Sequence, residues 1–351
     1  MSATRFQRSF LRQITLRFRF APPAANTGEG DNDALTLKRD RPVEAIEMRA
    51  VGSGAEMRSP MNEPSRAIFR TTDGLDLAAD MHGRPTRGSV LVAHGGGQTR
   101  HAWAKTAAAL ADRGWEVVTL DLRGHGESGW SPTGDYGIRR FSEDLAEVAR
   151  AMGGRPALIG ASLGGLAGLY AEAEIAPGGF SSITLVDIVP NMDPDGAAKV
   201  MEFMNAHVAQ GFGNLEEAAD VIAAYLPHRP RPADHSGLAK NLQQGDDGRF
   251  RWHWDPGVVS GMQSCRSLRD ADAFQARLTG LTLPVHLIRG RLSELVSREA
   301  AETFVAQLPN GKFTDVAGAS HMVAGDRNDA FLSAAVGFLE RLDRQTRAYD
   351  G

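Results

Sequence analysis

The stretch Ala157-Leu158-Ile159-Gly160-Ala161-Ser162-Leu163-Gly164-Gly165 begins as an apolar run and passes into a helical pattern, with a serine at the join. Swinging that serine out of a strand-to-helix turn crowds backbone atoms together, and Gly160 and Gly164, two residues to either side, remove the side chains that would collide. The helix that follows points its free N–H groups and the positive end of its dipole at the space above Ser162, which favours an anion there. A bare G-x-S-x-G pentapeptide is common as a plain turn. A strand before it and a helix after it give the serine a chemical reading.

Outward from this turn the same rhythm repeats. Arg66 to Met81 reads as two short strands, Ala67–Arg70 and Leu75–Ala78, about the turn pair Asp73-Gly74. Then come an apolar run over Ser89–Ala93, a helix near Trp103–Arg113, a run over Glu116–Leu120 and a helix near Arg139–Met152. After the serine helix, Ile183–Val186 is strand-like. Fully apolar strands alternating with helices of ten or more residues predict an α/β fold, a mainly parallel sheet with helices on both faces. From Met192 to about Leu281 the alternation stops in a helix-leaning segment rich in Ala, Met and aromatics. It resumes with Val285–Ile288, a helix near Arg298–Leu308, a strand near Phe313–Val316 and a terminal helix near Asn328–Leu342. The expected organisation is therefore a core of residues 65–190 and 282–345, with residues 191–281 inserted as a helical cap over the sheet's edge.

A serine hydroxyl needs a base to take its proton. His321, in Ala319-Ser320-His321-Met322, lies on a loop between the last strand and the terminal helix, whereas the other histidines precede the serine, sit in the insertion or, as His286, lie within a strand. A carboxylate should then hold the imidazole tautomer. Two acids preserve the order Ser, acid, His: Glu294, in Arg291-Leu292-Ser293-Glu294-Leu295 just after the post-insertion strand, is preferred, and Asp187, ending Leu185-Val186-Asp187, is the alternative. An oxyanion needs two preorganised N–H donors. Leu163, next after the serine, supplies one, and His94-Gly95-Gly96-Gly97 offers the second, with Gly96 the choice.

With these residues in place the chain resembles the α/β-hydrolases over essentially Arg66 to Leu342, and Asp121-Leu122-Arg123-Gly124-His125-Gly126-Glu127-Ser128 resembles a turn that these enzymes carry. The resemblance implies an eight-stranded sheet and a serine hydrolase of the metal-free haloperoxidase, esterase and epoxide-hydrolase-like kind with a helical cap. Relatives commonly place an aspartate three residues after the glycine of the post-cap strand, where this chain has Ser293. Epoxide and haloalkane hydrolysis are disfavoured, because a serine ether would not turn over and Tyr225 is the single cap tyrosine. Cleavage of an ester or related acyl bond in a moderately hydrophobic small molecule is expected. Perhydrolysis, lactone or C–C bond hydrolysis, and a non-catalytic receptor on the same fold are the alternatives. Cap aromatics, Phe203, Trp252 and Trp254 among them, should mostly pack, with a minority lining an apolar pocket; Arg251, Arg266 and Arg269 are candidates to meet a substrate carboxylate.

Composition bounds the rest. Lys+Arg 39 against Asp+Glu 43 and 23% charged residues make nucleic acid an unexpected partner. The single cysteine, Cys265, excludes an intrachain disulfide and a thiolate-rich zinc site, and the glycine loops serve the serine turn and the oxyanion. No metal or organic cofactor is expected, and a cytoplasmic location fits. Residues 1–28 hold five arginines, no acid and interleaved Phe, Leu and Ile. That mixture leaves surface association or targeting of the amino terminus open, and residues 1–64 are expected to form a disordered extension.

Overall fold

The computed structural model describes residues 48–50, 63–227, 229, 231, 236–264 and 271–349. Strands are numbered β1 (Met48–Ala50), β2 (Ser65–Arg70), β3 (Asp76–His82), β4 (Ser89–Ala93), β5 (Glu116–Leu120), β6 (Ala157–Ala161), β7 (Ser182–Val186), β8 (Leu242–Gln244), β9 (Phe250–Trp252), β10 (Val285–Gly290) and β11 (Gly311–Val316). The main sheet has the order β1-β2-β3-β5-β4-β6-β7-β10-β11. From β5 to β11 every pairing is parallel, while β1-β2, β2-β3 and β3-β5 are antiparallel. The expected eight strands of a mainly parallel sheet are present. Met48–Ala50, inside the stretch expected to be disordered, adds a ninth strand at the edge by pairing Met48 with Phe69. The arginine-rich residues 1–28 lie outside the described residues.

The apolar runs become central strands because both of their faces are covered. In β4, Val90 and Val92 join a layer with Trp103, Leu110, Phe331 and Leu339, whereas Leu91 and Ala93 join the opposite layer with Phe141, Leu145 and Leu158. That alternation is the two-residue period of a strand, expressed without any polar position because neither face meets water. Each fully buried Val, Leu or Ile contributes about 1.5–3 kcal/mol relative to leaving it exposed.

Register brings the strand ends level. Ala93 pairs with Gly160, Ala161 with Val186, Ile288 with Val186, and Gly290 with Val316. The loops that follow β4, β6, β7, β10 and β11 therefore emerge along one edge, where open α/β sheets bind their ligands. The turn after β5 is a buried ionic knot: the Asp121 carboxylate accepts the Arg100 N–H at 2.6 Å and the Glu127 N–H at 3.0 Å, and Arg123 forks onto Asp144 at 2.5 and 2.6 Å.

Between β7 and β10 the chain forms helices Pro194–Asn205, Leu215–Tyr225, Gly257–Ser264 and Ala271–Thr279. It is not wholly helical as expected: β8 and β9 form an antiparallel hairpin that pairs Leu242 with Trp252. Phe250 and Trp252 are aromatic strand residues that read as helix by composition, and their pairing partners lie across the turn Asp246–Gly248.

Candidate active site

Ser162 caps the helix Leu163–Tyr170 with φ 45° and ψ −113°, a backbone conformation that non-glycine residues seldom adopt. Holding it there costs on the order of 1–3 kcal/mol, and the packing around it allows no relaxation. A Cβ built on Gly160 would stand 2.6 Å from the Gly165 Cα, and one on Gly164 would stand 2.7 Å from the Ala93 and His94 carbonyl oxygens. The predicted reason for the flanking glycines is thus present as close backbone contact.

His321 donates from Nδ1 to Asp187 Oδ2 at 2.8 Å, which leaves Nε2 as the unprotonated ring nitrogen of the neutral imidazole. Asp187 follows β7 directly, is fully buried and has φ 51°. Its Oδ1 accepts the Gly290 N–H at 2.9 Å and its Oδ2 also accepts the Ser293 hydroxyl at 2.5 Å. The preference for Glu294 is therefore corrected. The Glu294 carboxylate is 66% exposed and paired with Lys199 Nζ at 2.6 Å, whereas the carboxylate bonded to His321 is that of Asp187. Ser293 turns inward and Glu294, one residue on, turns outward. Ser293, at the position where the resemblance leads one to expect an aspartate, donates its hydroxyl to Asp187. Sequence reading passes over that role, although the serine's place in the motif was its signal.

The loop before His321 is held as well. Asp326 Oδ2 accepts the Ser320 N–H at 2.8 Å and the Ser320 hydroxyl at 2.5 Å, while Asp326 Oδ1 accepts from Arg229 Nε of the insertion at 2.5 Å. Burial alone would raise the Asp326 carboxyl, but the Ser320 hydrogen bonds and the Arg229 cation together bring it below its ordinary value.

In the loop after β4, the Gly95 N–H goes to Gln98 Oε1 at 3.0 Å and the Gly97 N–H to His125 Nε2 at 3.2 Å. Neither the Gly96 N–H nor the Leu163 N–H has a hydrogen-bond acceptor among the described residues, which is the state required of oxyanion donors. Gln98 Nε2 also reaches Met322 Sδ at 3.2 Å, linking this loop to the His321 loop.

Ser162, His321 and Gly96 line one cavity of about 490 Å³. Its other wall comes from the insertion and includes Phe203, Met204, Tyr225, Trp252 and Trp254. These aromatics form a continuous ladder: Phe203 stacks on Tyr225 at 4.0 Å between ring centres and tilts against Trp252 at 5.7 Å, and Trp252 stacks on Trp254 at 4.8 Å. All three expected substrate-facing residues thus border the cavity that holds the serine. Of the arginines singled out for a substrate carboxylate, Arg251 forks onto Asp247, and Arg266 and Arg269 lie outside the described residues, as does Cys265. Among the described residues no group of three or more His, Cys, Asp or Glu side chains is placed to hold a metal ion, and no helix is long and apolar enough to cross a membrane.

Comparison with known proteins agrees with this arrangement. The family model for the alpha/beta hydrolase fold matches residues 88–327. Esterase Rv0045c of Mycobacterium tuberculosis is 27% identical over 286 residues, covering 80% of this chain and 91% of that protein. The 2-(acetamidomethylene)succinate hydrolase of Mesorhizobium japonicum is 30% identical over 235 residues, covering 66% and 80% respectively. The crystal structure of an alpha/beta hydrolase from Novosphingobium aromaticivorans superposes with a TM-score of 0.67 at 22% identity, over 80% of this chain and all of that one, a likeness of fold. With a strained serine turn at the end of β6, an Asp-oriented histidine after β11 and a family match spanning both, the chain belongs to the α/β-hydrolase family.

Proposed function

We propose that this protein is a serine hydrolase that cleaves a carboxylic ester, or a related acyl bond, of a moderately hydrophobic small molecule through an acyl-enzyme. The observation that carries the reading is the 2.8 Å contact of His321 Nδ1 with Asp187, on a histidine that lines the same cavity as Ser162. Asp187 holds the tautomer in which Nε2 can take the Ser162 proton, and it stabilises the imidazolium that results. Ser162 Oγ then attacks the carbonyl carbon, and the oxygen that becomes negative is met by the Gly96 and Leu163 N–H groups at the positive end of a helix. His321 returns the proton to the leaving alcohol. Water activated by the same nitrogen cleaves the acyl-enzyme and regenerates the serine.

The cavity volume suits a small substrate, and the aromatic ladder favours an apolar acyl or alcohol group. The names of the relatives, an esterase and a 2-(acetamidomethylene)succinate hydrolase, support a hydrolytic activity and leave the substrate itself to experiment. The insertion acts here as the cap over the site. The test is labelling with a fluorophosphonate followed by mass mapping, and turnover of a chain-length series of p-nitrophenyl esters. Labelling of Ser162 in the native chain and loss of both labelling and turnover in Ser162→Ala are expected. Labelling elsewhere, or full ester turnover by Ser162→Ala, overturns the reading.

A further inference from the structure

Asp187 fixes the ring of His321, but a ring is only as well placed as the backbone that carries it, and that backbone is tied to the insertion. The residue before His321 is held by Asp326, whose Oδ2 accepts the Ser320 N–H at 2.8 Å and the Ser320 hydroxyl at 2.5 Å. The residue after it, Met322, closes a helical turn with its carbonyl, which accepts the Gly325 and Asp326 N–H groups at 2.8 and 2.9 Å. One guanidinium reaches both of these supports. Arg229 of the insertion donates from Nε to Asp326 Oδ1 at 2.5 Å and from Nη2 to the Met322 carbonyl at 3.3 Å.

The Asp326 side chain is 3% exposed, and a carboxylate so placed needs a cation and hydrogen-bond donors to remain charged. Arg229 supplies the cation and Ser320 the other donors. The planar fork lets one side chain serve two acceptors in a fixed geometry, which a lysine ammonium, a point charge on a flexible stem, does not reproduce. Room for the fork comes from Gly325, where a Cβ would stand 2.6 Å from Arg229 Nη2. Arg231 lines the same cavity as Arg229 but pairs with Glu216 at 2.5 Å and Asp220 at 2.9 Å, both on the insertion's own helix Leu215–Tyr225.

We propose that Arg229 is a positioning residue for His321, acting through Asp326 and Ser320 on one side of the histidine and through the Met322 carbonyl on the other, so that the insertion places the general base as well as walling the pocket. This rests on the serine-hydrolase reading above. Both acylation and deacylation pass a proton through His321 Nε2, so a displaced base slows whichever step limits turnover and leaves ground-state binding intact.

The test uses the full chain with two esters of equal acyl length: p-nitrophenyl hexanoate, which is neutral, and p-nitrophenyl hydrogen adipate, which ends in a carboxylate. Arg229→Met should lower kcat about 10- to 100-fold on both, keep KM for the hexanoate within about twofold, and slow fluorophosphonate labelling of Ser162 by a similar factor. Arg229→Lys, which keeps a cation beside Asp326 and gives up the fork, should fall between the Met variant and the native chain. Arg231→Met should stay within about twofold of native kcat on the hexanoate. A loss confined to the adipate and seen in KM would make Arg229 a binder of substrate carboxylate and overturns the proposal. A lowered Tm with native kcat and labelling rate, or an equal loss of kcat in Arg231→Met, overturns it too, the first as mere packing and the second as an effect of cavity charge. Should Arg229→Met fail to fold, Arg229→Lys decides: native kcat and labelling rate overturn the proposal, and a loss in both at unchanged KM upholds it. Absence of Ser162 labelling in the unaltered chain is instead the failure of the serine-hydrolase reading, and the proposal falls with it.

Discussion

Asp187 and Glu294 both satisfy the chain order of a serine, an acid and a histidine, and only one of them can do what the acid must do. A carboxylate that orients an imidazole has to be held itself, and Asp187 is held by Gly290, Ser293 and His321 in a fully buried setting. Asp187→Asn should keep the fold and lower kcat by about 10⁴, the loss seen when an amide stabilises the wrong tautomer, with KM little changed. Glu294→Gln should stay within about twofold of native turnover, because an exposed ion pair with Lys199 contributes little. Ester kinetics on the two purified variants checks both, and the reverse ranking would return the role to Glu294. The signal for Asp187 was legible in Leu185-Val186-Asp187-Ile188-Val189, where an acid inside an unbroken apolar run has to be buried and partnered. Glu294, following Arg291 in a mixed segment, carries no such demand.

At the scale of elements, the proposed function puts the chemistry on strand ends and the selectivity on the aromatic ladder of the insertion, which line one cavity. Phe203, on the helix Pro194–Asn205, stacks on Tyr225 and borders the cavity, whereas Trp254 packs on Gly97. Phe203→Ala should raise KM for long acyl chains by about tenfold, the worth of roughly 1.4 kcal/mol of lost apolar contact, and leave turnover of the acetate ester near native. Trp254→Ala should depress turnover of the acetate ester too, because it loosens Gly97. A matched set of acetate and octanoate esters distinguishes the two, and equal losses on both substrates for Phe203→Ala would show that the ladder serves catalysis as a whole. The hairpin β8–β9 that carries Trp252 was not legible in advance: strands of three residues leave no periodicity to read, and their register is set by partners across a turn.

The whole molecule adds a dependence on pH. His286 lies within β10, fully buried, with Nε2 on Thr314 Oγ1 at 2.8 Å and its ring against Phe338. Burial, aided by Lys312 and Arg341, lowers it to about 3. Unfolding releases it to its ordinary value of 6.5, so between 6.5 and about 3 the unfolded chain binds a proton that the folded chain does not. Its penalty is absent above pH 6.5 and grows as pH falls, by about 1.4 kcal/mol between pH 7.5 and 5.5. His286→Leu should remove that share, so the difference in unfolding free energy between variant and native chain should shift by this amount in favour of the variant over the same interval. Urea titrations at the two pH values measure it, and a difference independent of pH would mean that His286 is protonated in the fold. A shift of this size is a large fraction of the roughly 5–15 kcal/mol that holds a domain folded.

What the amino-acid sequence determined by itself is everything that local chemistry dictates: apolar runs spaced by amphipathic helices predict the parallel sheet, Gly160 and Gly164 identify the serine turn, and the lone loop histidine after the last strand identifies His321. Each of these signals is carried by residues within a few positions of one another, so no knowledge of distant neighbours is needed. The pairing of His321 with Asp187, the inward turn of Ser293, the bond of the Gly97 N–H to His125 and the closing of Met48–Ala50 onto β2 were decided only in three dimensions. They join residues about 20 to 135 positions apart, and which of two eligible carboxylates is buried depends on the register of β7, β10 and β11, a property of the assembled sheet and of no single segment.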